Sequence, residues 1–302
     1  MLFLINAVFR GAGDASIAMR SLWTASICNM ILDPILIFGV GPIAPHGVQG
    51  AAIATTIGRS VGVLYQVTQL LRRDGRIVIR RPHLRLDFPL MGRMIRLSAS
   101  GILQMLIGTA SWIGLIRVLT HFGSDVVAGY TIGIRVIIFA LLPAWGLSNA
   151  AATMVGQNLG AKKPDRAEKA VWMASYYNML VLGAIGLIFV IFAPQIVGMF
   201  MQDPEITPWG VHCLRYVSAG FVFFAYGMVV SNAFNGAGDT WTPTWLNFFC
   251  FWVWELPLAW GLARTLGMGP DGVFIAIAVA FSTMAIASAV LFKRGNWKAK
   301  AV

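Results

Sequence analysis

Of the twelve acidic residues in the 302-residue chain, only Asp33 and Glu255 lie well inside long apolar stretches. A carboxyl group there is costly unless it faces a cavity, a partner or water. Each stands near a proline: Pro34 follows Asp33 directly, and Pro257 lies two residues beyond Glu255. A proline inside a helix frees a backbone carbonyl, which can join a carboxylate in holding a cation. A buried carboxyl group can also trade a proton for a cationic substrate. Asp33 and Glu255 are therefore the candidates for a coupling ion or proton, with Asp33 expected to carry the larger share. The plainer reading, that each only shapes a kink near the membrane interface, stays open.

Gln104, Trp112, Asn149, Asn232 and Asn247 bring polar or amphipathic side chains to apolar runs, as do Tyr130 and Tyr226. Such groups can line a path for organic cations; helix–helix hydrogen bonds and interface aromatics are the alternative. Arg135 is the leading buried cation, expected to pair with an acid or a helix end. Little else could do chemistry. His46, His83, His121 and His212 are scattered, so no metal site is expected, and no P-loop is present. The letters GRSVG at 58–62 fit a nucleophile pattern but fall inside an apolar run instead of at a strand-to-helix turn. Cys28, Cys213 and Cys250 sit in apolar runs as small buried hydrophobes. The chain is not expected to be an enzyme or to need a cofactor.

The elements that must position these groups are long helices. Hydrophobic residues make up 58% of the chain and charged residues 12%, against about half and about a quarter in soluble domains; the mean hydropathy is +0.73. Runs near 17–40, 48–71, 97–119, 126–149, 167–193, 209–234, 241–263 and 272–292 each reach the roughly 20 residues a helix needs to cross a bilayer. Non-alternating runs of this length mean helices and not barrel strands. The fold class is an all-α, polytopic membrane bundle with about eight complete spans.

The net charge of +11 does not mark a nucleic-acid partner. If the spans alternate in direction, 18 of the 23 basic residues fall on one side, eight of them arginines between Arg72 and Arg96. The opposite connections hold only Arg264. That asymmetry places the 72–96 loop and the C-terminus in the cytoplasm of a plasma-membrane protein. The partners expected are the lipid bilayer and small organic cations; nothing in the chain marks an obligate protein partner.

One hexad occurs twice, as FRGAGD at 9–14 and FNGAGD at 234–239. At this offset of 225, Gly11, Gly13 and Asp14 match Gly236, Gly238 and Asp239. At an offset of 222, Cys28 then meets Cys250, Gly50 meets Gly272, and Asp33 meets Glu255. Six spans separate the copies, so both run the same way through the membrane, a parallel repeat of two bundles. The glycines suit tight turns and close helix approach, and Asp14 and Asp239 suit helix caps. Four spans precede the second hexad but only eight residues the first. About 130 residues are thus expected to be missing upstream if the halves are alike.

The paired GAGD hexads, ILDPILIFG at 31–39, GVQGAAIATTIG at 47–58 and MVGQNLGAKKPDRA at 154–167 together resemble the multidrug and toxic compound extrusion (MATE) family. The resemblance runs over essentially the whole chain. It implies a two-lobe, twelve-helix secondary antiporter exporting cationic or amphipathic compounds against sodium or protons. Residues 1–71 would be the remainder of the first lobe, 72–96 an inter-lobe loop, 97–292 a six-helix second lobe and 293–302 a cytoplasmic tail. This chain by itself is then not expected to transport. The family's carboxylates on its seventh and tenth helices are absent from 97–119 and 209–234, so sodium coupling of that kind does not carry over. A flippase of lipid-linked precursors, which would want several arginines facing the cavity, and a non-transporting membrane protein remain as alternatives.

Overall fold

The computed structural model describes residues 1–40, 44–72, 75–80, 82 and 85–299. Arg73, Arg81, His83 and Lys300, counted above among the basic and histidine residues, lie outside them. Among the described residues all regular structure is helical, and the chain divides into two units, Met1–Phe88 and Pro89–Val302.

The first unit holds α1 (Leu2–Gly11), α2 (Ala15–Phe38) and α3 (Gly47–Leu71). The buried face of α3 is a stripe at every fourth residue: Gly50, Ala54, Gly58, Gly62, Gln66 and Leu70. Small residues at this spacing let two backbones approach closely, the packing that replaces hydrophobic burial where the surroundings are themselves apolar. A Cβ added to Gly50 would lie 2.2 Å from the Leu36 carbonyl oxygen. Near the α1 end, Gln66 Nε2 donates to Asn6 Oδ1 (2.7 Å), Ser21 Oγ (3.1 Å) and the Leu2 carbonyl (3.2 Å), tying the three helices together.

The second unit holds α4 (Phe88–Leu119), α5 (Ser124–Gly160), α6 (Pro164–Gly198), α7 (Thr207–Ala219) and α8 (Phe221–Gly236). They are followed by α9 (Trp241–Asn247), a π-helix (Phe248–Glu255), α10 (Leu256–Trp260), a second π-helix (Gly261–Thr265) and α11 (Pro270–Lys293). Its main core gathers Leu115, Ile137, Leu182, Leu214, Phe221 and Phe274 from α4, α5, α6, α7, α8 and α11. A second cluster at the other end of the helices is capped by Trp297, fully buried beyond the last helix.

Six of these helices are long and apolar enough to cross a membrane, and α7 with α8, bent by 57°, makes a seventh. The eight expected runs are thus modified in two places. The run 209–234 is broken at Gly220, and 48–71 is a helix of 25 residues in which Gln49, Thr55, Thr56, Arg59 and Gln66 lower the hydropathy. Two helices also outrun their predicted spans. α4 begins at Phe88, inside the expected 72–96 loop. α5 continues through VGQNLG to Gly160, leaving only residues 161–163 where a longer loop is predicted.

The repeated hexad makes the same turn twice. Gly13 and Gly238 have φ of 81° and 76°, a left-handed backbone that glycine adopts without penalty. In each copy the aspartate N–H donates to the phenylalanine carbonyl five residues back, at 2.9 Å, closing a helix C-terminus in Schellman fashion. The expected caps differ. Asp239 accepts from the Thr242 backbone N–H (3.3 Å) and hydroxyl (2.7 Å). Asp14 makes no side-chain cap on α2 and instead accepts from Ser16 Oγ at 2.8 Å.

Candidate functional site

A cavity of about 540 Å3 lies in the second unit, walled by α4, α5, α8, α11 and the π-helix-bearing segment. Gln104, Trp112, Asn149, Asn232, Asn247 and Glu255 all line it. Between them stand Trp145, Phe224, Phe251, Phe281, Met105 and Met284. Aromatic faces and thioethers offer polarizable, adaptable contacts to a flat or cationic guest.

The polar groups form two poles. At one, Glu255 is 3% exposed, and Ser111 Oγ donates to its Oε2 at 2.9 Å. No lysine, arginine or histidine among the described residues lies within ion-pair distance of it. Burying a carboxylate without a counter-charge is expensive. A proton, or a cation entering the cavity, relieves that cost. The π-helix ends at Glu255, and Trp252 within it donates from Nε1 to the Ile107 carbonyl of α4 at 3.1 Å. The wider turn and this cross-helix bond help set which way the segment presents its side chains; π-turns of this kind recur at functional sites.

At the other pole four amides join α4, α8 and α5. Gln104 Nε2 donates to Asn235 Oδ1 (3.2 Å), and Asn235 Nδ2 donates back to Gln104 Oε1 (3.4 Å). Asn235 Nδ2 also donates to Asn232 Oδ1, and Asn232 Nδ2 to Asn149 Oδ1, each at 3.2 Å.

With the site in view, the comparisons with known proteins fit the same frame. The MatE family model matches residues 100–260, more than half of the chain. The chain belongs to the MatE family. The probable multidrug resistance protein YoeA of Bacillus subtilis is 25% identical over 93% of this chain and 62% of its own length. The probable multidrug resistance protein NorM of Thermotoga maritima is 24% identical over 100% of this chain and 65% of its own length. The outward-facing structure of a multidrug resistance MATE family transporter of the MOP superfamily superposes with a TM-score of 0.88, at 26% identity, over 98% of this chain and 65% of that one. The chain thus spans just under two thirds of the length of these relatives.

Within this MatE chain three expected cavity residues stand elsewhere. Tyr130 is 2% exposed and stacks on Phe274, ring centroids 6.1 Å apart. It falls in the stripe with Val126, Gly129, Gly133, Ile134 and Ile137 by which α5 enters the core, so its ring packs instead of lining a path. Arg135, next to that stripe, is exposed on the outer side of α5 and makes no ion pair among the described residues. A cation without a buried acid beside it does better facing out. Tyr226 is half-buried against Trp172, centroids 6.0 Å apart.

Asp33 belongs to the first unit, where it is half-buried and accepts from Asn29 Nδ2 at 3.3 Å. The equivalence of Asp33 and Glu255 drawn from the 222 offset shifts by about one helical turn. Gly50 packs on Leu36, three residues beyond Asp33, whereas Gly272 packs on Leu262 and Ala263, seven and eight beyond Glu255. Measured from this shared contact, Glu255 answers to Asn29, the neighbour that hydrogen-bonds Asp33. The two π-helices lie only in the second copy, and a constant offset cannot follow such a change of pitch.

Sequence reasoning passed over Ser111 and Asn235. Asn235 was in plain sight as the variable letter of the hexad, with Arg10 in the other copy. Ser111 carries no signal of its own; only the fold brings it to Glu255.

Proposed function

We propose that the protein to which this chain belongs is a secondary antiporter of the plasma membrane. It exports cationic or amphipathic small organic molecules in exchange for protons or sodium, without a cofactor or an obligate protein partner. The observation that carries this reading is Glu255, a deeply buried carboxyl group on the wall of an aromatic cavity, with no cation among the described residues in ion-pair distance to balance it. Such a group exchanges one positive guest for another: a coupling ion and an organic cation compete for the same charge. Among the described residues no arginine or lysine lines the cavity, which favours this over a flippase of phosphate-bearing precursors, which would need several. Asp33 serves as the secondary acid in the first unit, the reverse of the order expected from the sequence, because its half-buried carboxyl group leaves less charge unbalanced than Glu255 does. Residues 97–292 act as one lobe, the 72–96 connection and the tail lie in the cytoplasm, and the 18-to-1 division of basic residues between the two sides supports that orientation.

Binding of tetraphenylphosphonium to the purified chain in detergent tests the exchange. Affinity is expected to fall as the pH is lowered or sodium is raised. Glu255→Gln is expected to weaken binding about tenfold or more, the loss of one charge pair in a dry cavity, and to abolish the dependence on pH and sodium. Unchanged affinity and ion dependence in Glu255→Gln would remove the basis for the reading.

A further inference from the structure

The amide pole of the cavity has a direction, and a backbone carbonyl sets it. Gln104 Nε2 donates to the Thr240 carbonyl oxygen at 2.9 Å. A carbonyl can only accept, so the nitrogen of Gln104, and not its oxygen, must face it. Gln104 and Asn235 then pair reciprocally, which orients Asn235. From there each amide donates onward: Asn235 to Asn232, and Asn232 to Asn149. Reversing any member would set nitrogen against nitrogen or oxygen against oxygen. The ladder therefore ends with the oxygen of Asn149 occupied and its NH2 group aimed away from the ladder. Asn149 is exposed on the cavity wall, and its Nδ2 has no protein acceptor among the described residues. Aligned amides polarise one another, which strengthens the terminal donor.

We infer that Asn149 is a specificity-determining residue, whose amide N–H selects guests carrying a hydrogen-bond acceptor remote from their positive charge. The inference rests on the exporter reading for the charged end of the guest and adds the chemistry of its other end. Gln104, at the start of the amide ladder, and Ser111, bonded to Glu255, are seven residues apart on α4, hence about 10 Å along the helix, so the amide and acid poles are well separated. The ligand class is a cationic, partly aromatic molecule with a carbonyl or similar acceptor at the end remote from the cationic nitrogen. A guest without the acceptor leaves a polarised donor unpaired in a largely apolar cavity, and that penalty discriminates more sharply than a gain in apolar contact.

A matched pair of radiolabelled probes tests this on the purified chain: 3-phenylpropyltrimethylammonium and the same ion with a para-acetyl group, which accepts but cannot donate. The acetyl probe is expected to bind roughly 3- to 10-fold tighter, the worth of one neutral hydrogen bond. In Asn149→Leu, of similar volume, the preference is expected to fall to about one, whatever the change in the affinity of the plain probe. Thermal unfolding in detergent checks that the variant is folded. Asn232→Leu, which cuts the ladder one rung back, is expected to reduce the preference without abolishing it. Glu255→Gln is expected to weaken both probes alike and to keep their ratio. Equal affinities in the native chain, an undiminished preference in Asn149→Leu, or equal loss of both probes in that variant overturns the inference. Unchanged affinities in Glu255→Gln would instead count against the exporter reading, leaving the ladder to be judged by the ratio alone.

Discussion

Ser111 and Glu255 show how much one hydroxyl can carry. Among the described residues the serine supplies the one side-chain hydrogen bond to a deeply buried carboxyl group. Removing one member of a buried hydrogen-bonded pair costs more than removing both, because the survivor keeps its desolvation penalty. Ser111→Ala is expected to lower stability by about 1–3 kcal/mol. The double variant Ser111→Ala with Glu255→Leu should recover most of that loss. Thermal unfolding in detergent measures both, and a double variant no more stable than Ser111→Ala would contradict the account. The hexad glycines make a second contrast. A Cβ on Gly236 would sit 2.1 Å from the Ala152 carbonyl oxygen, whereas one on Gly11 meets nothing within 4 Å. Gly236→Ala must push α8 off α5 and is expected to cost about 3 kcal/mol or more; Gly11→Ala should stay within about 1 kcal/mol of the parent. Equal effects of the two substitutions would show that the contact is not rigid.

Helix ends decide how the second unit is held shut at its tail. After α11 a left-handed turn at Gly295 (φ 77°) returns the chain. Trp297 then stacks on Phe292, centroids 4.5 Å apart, and donates to the Phe292 carbonyl at 2.9 Å. Lys298 bridges Asp165 (3.2 Å) and Glu168 (2.5 Å) in the first turns of α6. Trp297→Ala leaves a large void in the cluster around Val171 and Phe292 and is expected to cost about 3–5 kcal/mol. The bond to Glu168 holds Lys298 above the usual lysine range. A raised lysine contributes in full below its ordinary value of about 10.4 and is lost as pH rises through the raised one. The tail should therefore stay docked at neutral pH and be released in strong alkali; high salt should weaken the pair, which is partly exposed. Limited proteolysis of residues 294–299 reports this directly. Cleavage at neutral pH as fast as at high pH would mean the lysine bridges hold nothing.

For the whole molecule the testable quantity is orientation. Single cysteines placed at 76 and at 203, probed with an impermeant thiol reagent on intact cells, are expected to label only at 203. Labelling at 76 before permeabilisation would invert the proposed topology. The parallel repeat makes the two units comparable without making them equal. The first carries Asp33 half-buried beside Asn29, and the second carries Glu255 nearly sealed beside Ser111. If each acid answers to its surroundings, Asp33→Asn should disturb probe binding in the second-unit cavity less than Glu255→Gln does, since Asp33 is not among the residues that line it.

Length, hydropathy and glycine spacing were legible in the residues themselves. A run of some 20 apolar residues has almost no alternative to a helix in lipid, and a GAGD turn needs its left-handed glycine wherever it occurs. The helical bundle, the duplicated turn and the rarity of Asp33 and Glu255 as the two acids inside apolar runs all follow from local chemistry; that Glu255 is the more deeply buried of the two does not. Tertiary structure decided the rest, because facing is a property of pairs of helices. Tyr130 and Asn149 are both polar groups on α5; only the packing of α7 against one side of it, with Phe274 of α11 stacked on the ring, puts the tyrosine in the core, and the asparagine lines the cavity. The match of Asp33 with Glu255 failed for a related reason: π-turns change the residues per turn, so equal spacing along the chain ceased to mean equal depth in the bundle. The direction of the amide ladder depends on the Thr240 carbonyl meeting Gln104 across 136 residues, a contact that no local pattern encodes.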